Sequence, residues 1–257
     1  MIRAIWDFPE RQIGRQVVVY RETDSTNSRA MEHAGRDGLA FLADEQTAGR
    51  GTQGRRWTAA PGASVLLSVL LHPPESLRLA VILTAWAAVS VRDALSHWGV
   101  RSRIKWPNDV LVGGRKIAGI LTETRGEAVV VGMGLNVRQT ASDWAEAGLS
   151  TATSLAVAGV DTPTEAVAQV LLGCLDDRYR ALQSNGDEVE AAWQEGLRLQ
   201  GRRVRIRHRG GETEGRVREL TWRKVCLEEG GVWRPEEIRL ELAEEREEDL
   251  PFEEERL

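Results

Sequence analysis

Four short segments carry residue types that could do chemistry. The first is Gly49-Arg-Gly-Thr-Gln-Gly-Arg-Arg-Trp57, a glycine-rich stretch with three guanidinium groups. Bare backbone amides and bidentate arginines suit the wrapping of an anion such as a phosphate. The stretch formally matches G-x-G-x-x-G. A dinucleotide fingerprint, however, needs a strand directly before it and a helix opening at its third glycine, and this sequence offers neither. Gly49 and Gly54 also have P-loop spacing, but Arg55 and Arg56 stand where Lys and Ser or Thr belong. The second segment is Lys105-Trp-Pro-Asn-Asp109. Pro107 fixes its backbone and restricts Trp106 to an extended shape, so Asn108 and Asp109 are expected to project from a rigid corner at a strand end. The third is Gly113-Gly-Arg-Lys-Ile-Ala-Gly119. Strand alternation would place Lys116, Ala118 and Ile120 on one face and Ile117, Gly119 and Leu121 on the other. A partly desolvated Lys116 could meet an anion near Gly119, where the missing side chain admits a ligand. The fourth, Gly132-Met-Gly-Leu-Asn136, offers the same close approach and one amide side chain.

These segments need a scaffold, and the apolar pattern supplies one. Residues 17–20, 39–43, 64–71 and 128–131 read as strands, the third as a continuous apolar run. Asp24-Ser-Thr-Asn27 suits a helix N-cap, with the helix running to about Ala34. Residues 45–57 read as a long, mobile polar loop of the kind that is usually functional. Residues 77–98, 164–182 and 188–197 have helical spacing. Strands at 110–112 and 116–123 flank Gly113-Gly114, a hairpin signal. From Gly201 the texture changes to short strands at 204–206, 217–220, 224–227 and 232–233, joined by Gly210-Gly211 and Gly230-Gly231. Such a segment suits a small β-barrel of SH3-like size.

Composition excludes several classes of function. The 257 residues are 42% hydrophobic and 28% charged, as in an ordinary globular chain. The net charge of −5 divides unevenly. Residues 244–257 hold eight acidic residues and two arginines, a local −6 that reads as a solvated, disordered tail. The remainder sums to +1, with no long basic stripe for nucleic acid. No apolar stretch reaches the roughly 20 residues of a bilayer span, and the N-terminus has no signal core. Cys174 and Cys226 are far apart and read as buried free thiols, which points to the cytoplasm. The four histidines have no ligand spacing, so no protein-only metal site is expected. Of the 34 basic residues only Lys105, Lys116 and Lys224 are lysine. Lysines that persist against such a bias mark places where a compact ammonium is needed.

The chain resembles the biotin–protein ligases over about residues 17–240. The resemblance is carried by Asp24-Ser-Thr-Asn27, Gln46-Thr-Ala-Gly-Arg-Gly51, Gly54-Arg-Arg-Trp57, Lys105-Trp-Pro-Asn-Asp109, Arg115-Lys-Ile-Ala-Gly-Ile-Leu121 and Gly132-Met-Gly-Leu-Asn136, all in the family's order. It implies an α/β (α+β) architecture: a mixed sheet flanked by helices, related to class II aminoacyl-tRNA synthetases, and a small C-terminal SH3-like barrel. The implied domains are 1–197 for catalysis, 198–243 for the barrel and 244–257 for the tail. Larger members begin with a DNA-binding winged helix. Only 23 residues precede Asp24, which suggests the short, monofunctional form without DNA binding.

The resemblance also implies a reaction. Biotin would be activated with Mg·ATP to biotinyl-5′-AMP, with release of pyrophosphate, and then transferred to a lysine of a biotin carboxyl carrier protein or domain. Mg2+ would be held through the ATP phosphates, and the enzyme would be a monomer or homodimer. By match to the family motifs, Lys116 and Arg50 would be catalytic. Ser25, Thr26, Asn27, Gln46, Arg50, Gly51, Thr52, Lys116, Gly119 and Gly134 would bind biotin. Arg50, Arg55, Trp57, Lys116 and Asn136 would bind ATP, and Asn108 and Asp109 would brace the loop or position Mg2+. The family loop reads Gly-Arg-Gly-Arg, whereas here Thr52 replaces the second arginine. Either Arg55 or Arg56 compensates, or the adenylate escapes more readily. The alternatives are a lipoate–protein ligase and a non-catalytic biotin or nucleotide sensor.

Overall fold

The apolar run at residues 64–71 has no polar side because both of its faces are covered, and all eight residues are buried. It is the fourth strand of a sheet built from β1 (Ile2–Asp7), β2 (Gln16–Thr23), β3 (Ala40–Gln46), β4 (Ser64–Leu71), β5 (Arg103–Lys105), β6 (Asp109–Val112), β7 (Arg115–Arg125) and β8 (Ala128–Asn136). This computed structural model describes residues 1–33 and 35–243. The order across the sheet is β1-β2-β3-β4-β8-β7-β6-β5. Only β2 and β3 pair in parallel, so the sheet is mixed. Helices α1 (Thr26–Glu32), α2 (Ala80–Ser96), α3 (Ala141–Glu146), α4 (Thr164–Ser184) and α5 (Gly186–Leu197) complete the first compact unit, Met1–Leu197.

Helix α2 is apolar nearly all round because it lies between β7 on one side and α4 and α5 on the others. Its Trp86 is fully buried and gives its indole N–H to the Leu175 carbonyl at 3.1 Å, so the polar atom of a large core side chain is satisfied. Gly113 and Gly114, with φ of +55° and +75°, make the two-residue turn between β6 and β7. Positive φ at both positions is what that turn demands.

Several boundaries differ from the sequence reading. Strand β3 runs on to Gln46 because its parallel pairing with β2 continues to the Thr23–Gln46 pair, which shortens the polar loop. Helix α1 ends at Glu32, and α2 starts at Ala80 after a separate turn at Glu75–Leu77. Strand β1 and the short α3 were not anticipated. Among the described residues no helix is long and apolar enough to cross a membrane.

The second unit begins at Arg198. It holds a five-stranded antiparallel sheet of β9 (Arg203–His208), β10 (Gly211–Leu220), β11 (Val225–Leu227), β12 (Val232–Trp233) and β13 (Arg239–Leu242), in the order β12-β11-β10-β9-β13. Cross-strand ion pairs such as Arg205–Glu214 (2.7 Å) and Arg207–Glu212 (2.8 Å) line one face. The acidic tail expected over 244–257 lies outside the described residues.

Candidate active site

The end of β2 lies beside the end of β3, and α1 starts there with Ser25 as its N-cap. The Ser25 hydroxyl makes no capping bond; Asp24 accepts the Ser25 N–H at 2.7 Å instead. Burial works against the Asp24 charge, but the Ser25 amide, the Thr23 hydroxyl and the Arg29 guanidinium outweigh it and hold the carboxyl below its usual range. Thr26 gives both its N–H and its hydroxyl to Gln46 Oε1, at 2.7 and 3.0 Å. Asn27 is buried, with Nδ2 donating to Glu123 Oε2 at 2.7 Å and Oδ1 lying 2.5 Å from the Ser68 hydroxyl. Ser68 is also 2.7 Å from Thr26 Oγ1. A Cβ on Gly132 would come within 2.2 Å of Asn27 Oδ1, so that glycine gives the amide its place. The result is a neutral cradle of amides and hydroxyls fixed before any ligand enters.

Residues 49–57 fold back on themselves. The Gly51 N–H donates to the Arg55 carbonyl at 2.7 Å and the Trp57 N–H to the Gly49 carbonyl at 3.0 Å, while Arg50 and Arg56 pair as an antiparallel bridge. Gln53 and Gly54 turn the tip at φ of +59° and +73°. The expected structureless loop is therefore a short hairpin-like turn, stabilised because these amides find partners within the loop itself. Arg50 reaches Glu123 Oε2 at 2.9 Å and the Ser28 hydroxyl at 3.0 Å. Arg55 folds onto Thr52, bonding its carbonyl at 3.3 Å and its hydroxyl at 3.2 Å. Arg56 donates to the Thr47 carbonyl at 3.0 Å.

One expectation about β7 is overturned. Val110 pairs with Ala118 but Leu111 pairs with Lys116, so Ile117 is an extra residue, a β-bulge. Ile117 and Ala118 are consequently both buried, and Lys116 turns to the face that holds Gly119. Simple alternation had placed Lys116 with Ala118 and Ile120. A Cβ on Gly119 would lie 2.9 Å from Lys116 Nζ. The ammonium pairs with Asp109 Oδ1 at 2.6 Å and lies 5.6 Å from the centre of the Trp57 ring. That ring rests on Gly119 and Gly134, which face each other across β7 and β8; a Cβ on Gly134 would come within 2.3 Å of it. The close approach expected of a ligand at these two glycines is thus made by Trp57. Its Nε1 is buried without a hydrogen-bond partner, a donor aimed at nothing in the chain.

Lys105-Trp-Pro-Asn-Asp109 makes the turn between β5 and β6, with Lys105 opposite Asp109 and a cis Trp106–Pro107 bond. Trp106 packs against Trp193 of α5. Asn108 and Ile120 exchange hydrogen bonds, Nδ2 to the Ile120 carbonyl at 2.8 Å and the Ile120 N–H to the Asn108 carbonyl at 2.9 Å, which locks the turn onto β7. Asn136 is buried outside the cleft lining. Its Nδ2 donates to the Thr153 carbonyl at 3.0 Å, and Ser64 and Gln139 lie at its Oδ1.

Ser25, Thr26, Asn27, Gln46, Arg50, Gly51, Thr52, Arg55, Trp57, Asn108, Lys116, Gly119 and Gly134 all line one cleft. Asp109 belongs to it through Lys116. Leu66 and Leu121, on the same sheet face as Gly134 and Gly132, add an apolar wall that the sequence reading had not singled out. Ser68 and Glu123, which organise the cradle, were also missed. Their signals were a polar gap in an apolar strand and a carboxylate at the end of one. Arg50, Arg55, Arg56 and Lys116 face the cleft, while Glu123 and Asp109 pair with two of them, so four charges against two leave a net +2. Among the described residues no group of three or more His, Cys, Asp or Glu could hold a metal ion.

Known proteins resemble this chain in sequence and in fold. Residues 19–138 match the model of the biotin/lipoate A/B protein ligase family. The chain is 35% identical over 229 residues to the biotin–[acetyl-CoA-carboxylase] ligase of Mycobacterium tuberculosis, covering 84% of this chain and 85% of that one. It is 34% identical over 216 residues to the bifunctional ligase/repressor BirA of Bacillus subtilis, covering 80% of this chain but 66% of that relative's length. The structure of a biotin protein ligase from Aquifex aeolicus in complex with biotin and ATP superposes with a TM-score of 0.75 at 26% identity, covering 88% of this chain and 99% of that one. A mixed sheet with a neutral amide cradle, a cationic glycine loop and a bulge-turned lysine thus goes together with extended sequence likeness, and the chain belongs to the biotin protein ligase family.

Proposed function

We propose that this chain activates biotin with ATP and transfers it to a lysine of a biotin carboxyl carrier protein or domain. The observation that carries this reading is the order of groups along one cleft. The neutral cradle of Ser25, Thr26, Asn27 and Gln46 suits a ureido ring, the wall of Leu66 and Leu121 suits an aliphatic chain, and Lys116 stands where that chain's carboxylate would end. Arg50, Gly51, Thr52 and Arg55 lie beside it for the nucleotide phosphates, and Trp57 forms the floor between the two.

In the first step a biotin carboxylate oxygen attacks the α-phosphorus; the new P–O bond replaces the one to the β-phosphate, and pyrophosphate leaves. Two anions must meet, so fixed positive charge contributes most of the barrier lowering. Lys116, held 2.6 Å from Asp109, would exchange that partner for the biotin carboxylate and the α-phosphate oxygens. Mg2+, when bound, neutralises phosphate charge, and the nucleotide rather than a protein cluster would carry it. In the second step the acceptor amine attacks the acyl carbon, the amide forms, AMP leaves and the amine's proton is lost to solvent. Asn108 would act as a brace. Asn136 would reach the nucleotide only if it gave up its bond to Thr153.

We read the first unit as the catalytic domain related to class II synthetases. The second would be an SH3-like barrel, a reading supported by its short antiparallel strands and glycine turns. Incubating the protein with biotin, Mg·ATP and a biotin carboxyl carrier domain should add one biotinyl mass to the carrier. A parallel arm with lipoate should add nothing. Transfer of lipoate alone, or of neither, would overturn the reading.

A further inference from the structure

Glu123 takes no part in the chemistry proposed above, yet it touches both the neutral cradle and the cationic loop. It follows Gly119 and Leu121 along one face of β7, and its Oε2 accepts two hydrogen bonds, from Asn27 Nδ2 at 2.7 Å and from Arg50 Nη2 at 2.9 Å. Asn27 has little freedom to move away, being buried, set against the Ser68 hydroxyl and seated on the bare backbone of Gly132. Arg50 is tied a second time to α1, through Ser28. The first guanidinium of the cationic loop is therefore tethered to the same carboxylate oxygen that orients the amide of the neutral cradle.

Two donors on one oxygen share its charge. When Arg50 leaves for a phosphate, the carboxylate is left to Asn27 and fixes that amide more firmly. When a ligand polarises Asn27, Glu123 holds Arg50 less strongly, and the two effects are the same coupling seen from either side. Resting on the biotin-ligase reading, we propose that Glu123 is a positioning residue that couples occupancy of the neutral cradle to the placement of Arg50 over the nucleotide.

The test is calorimetric titration of biotin into wild type, E123Q and E123A, each with and without a non-hydrolysable ATP analogue and Mg2+. In wild type the nucleotide should tighten biotin binding about fivefold or more, the lower range of ordinary coupling. In E123Q, whose neutral amide offers Arg50 no charge, the ratio should fall below about twofold while both ligands still bind. A merely structural role would weaken biotin equally in both titrations and keep the wild-type ratio, which would overturn the proposal. If E123A melts too early to titrate, E123Q carries the test. R50A must lose the ratio as well, and R50A that keeps it would also overturn the proposal. Wild type that binds both ligands with no coupling overturns the role of Glu123 alone. Wild type that binds neither overturns the functional reading, and this proposal with it.

Discussion

At the buried end of the cleft Thr26 and Asn27 are bonded to Gln46 and Ser68; in the loop beside it Arg50, Arg55 and Arg56 are exposed and bonded to Glu123 and to hydroxyls and carbonyls of nearby residues. The difference follows from what each part would hold. A neutral ring offers only directional hydrogen bonds, worth about 1 kcal/mol each net, so the groups that read it must be fixed beforehand. A polyphosphate offers charge, which acts over several ångströms and tolerates mobile side chains, and the cations can stay in water until it arrives. Lys116 stands between the two, half-buried and aimed by the bulge in β7.

The sharpest way to break this comparison is at its centre. Lys116→Ala should melt within a few degrees of wild type but lose at least about a hundredfold in pyrophosphate release, because about 3 kcal/mol of charge stabilisation disappears from the step that joins two anions. Lys116→Arg should recover little of it, since a planar fork does not replace a point charge. Normal pyrophosphate release by the alanine variant would remove Lys116 from the mechanism.

A smaller effect is expected at the fixed end. Ser68→Ala leaves Asn27 Oδ1 and Thr26 without their buried donor and should weaken biotin binding about tenfold, with nucleotide affinity unchanged. Equal losses for both ligands, measured by titration, would mean that Ser68 supports the fold as a whole rather than the cradle. The smallest effect is expected at the loop tip. Arg55 already lies on Thr52, so Thr52→Arg should slow dissociation of biotinyl-5′-AMP by less than about threefold, where a wholly missing charge-assisted contact would be worth tenfold or more. Retention improved by ten times would show that Arg55 does not supply the charge.

The residues that line the cleft were largely legible because each stands in a short motif whose composition conflicts with its setting: glycines in strands, a lone lysine beside an apolar run, a run of small polar residues at a helix start. Residues that act through others were not. Glu123 is 73 positions from Arg50, and Ser68 is 41 from Asn27; only the pairing of β4, β7 and β8 brings them together. Asn136 shows the converse, since its motif pointed to a ligand while its amide is spent on Thr153.

By itself, then, the sequence determined the longer strands and helices, the glycine positions and the chemical types at the cleft, because these follow from local periodicity, backbone freedom and charge, while the short β1, α3 and β13 escaped it. The tertiary structure alone decided which way Lys116 points, that Trp57 covers the Gly119–Gly134 pair, and that one carboxylate joins the cradle to the loop. A single extra residue in a strand pair reverses the faces of everything beyond it, and that insertion is fixed by the register of the neighbouring strand, which no local pattern in β7 records.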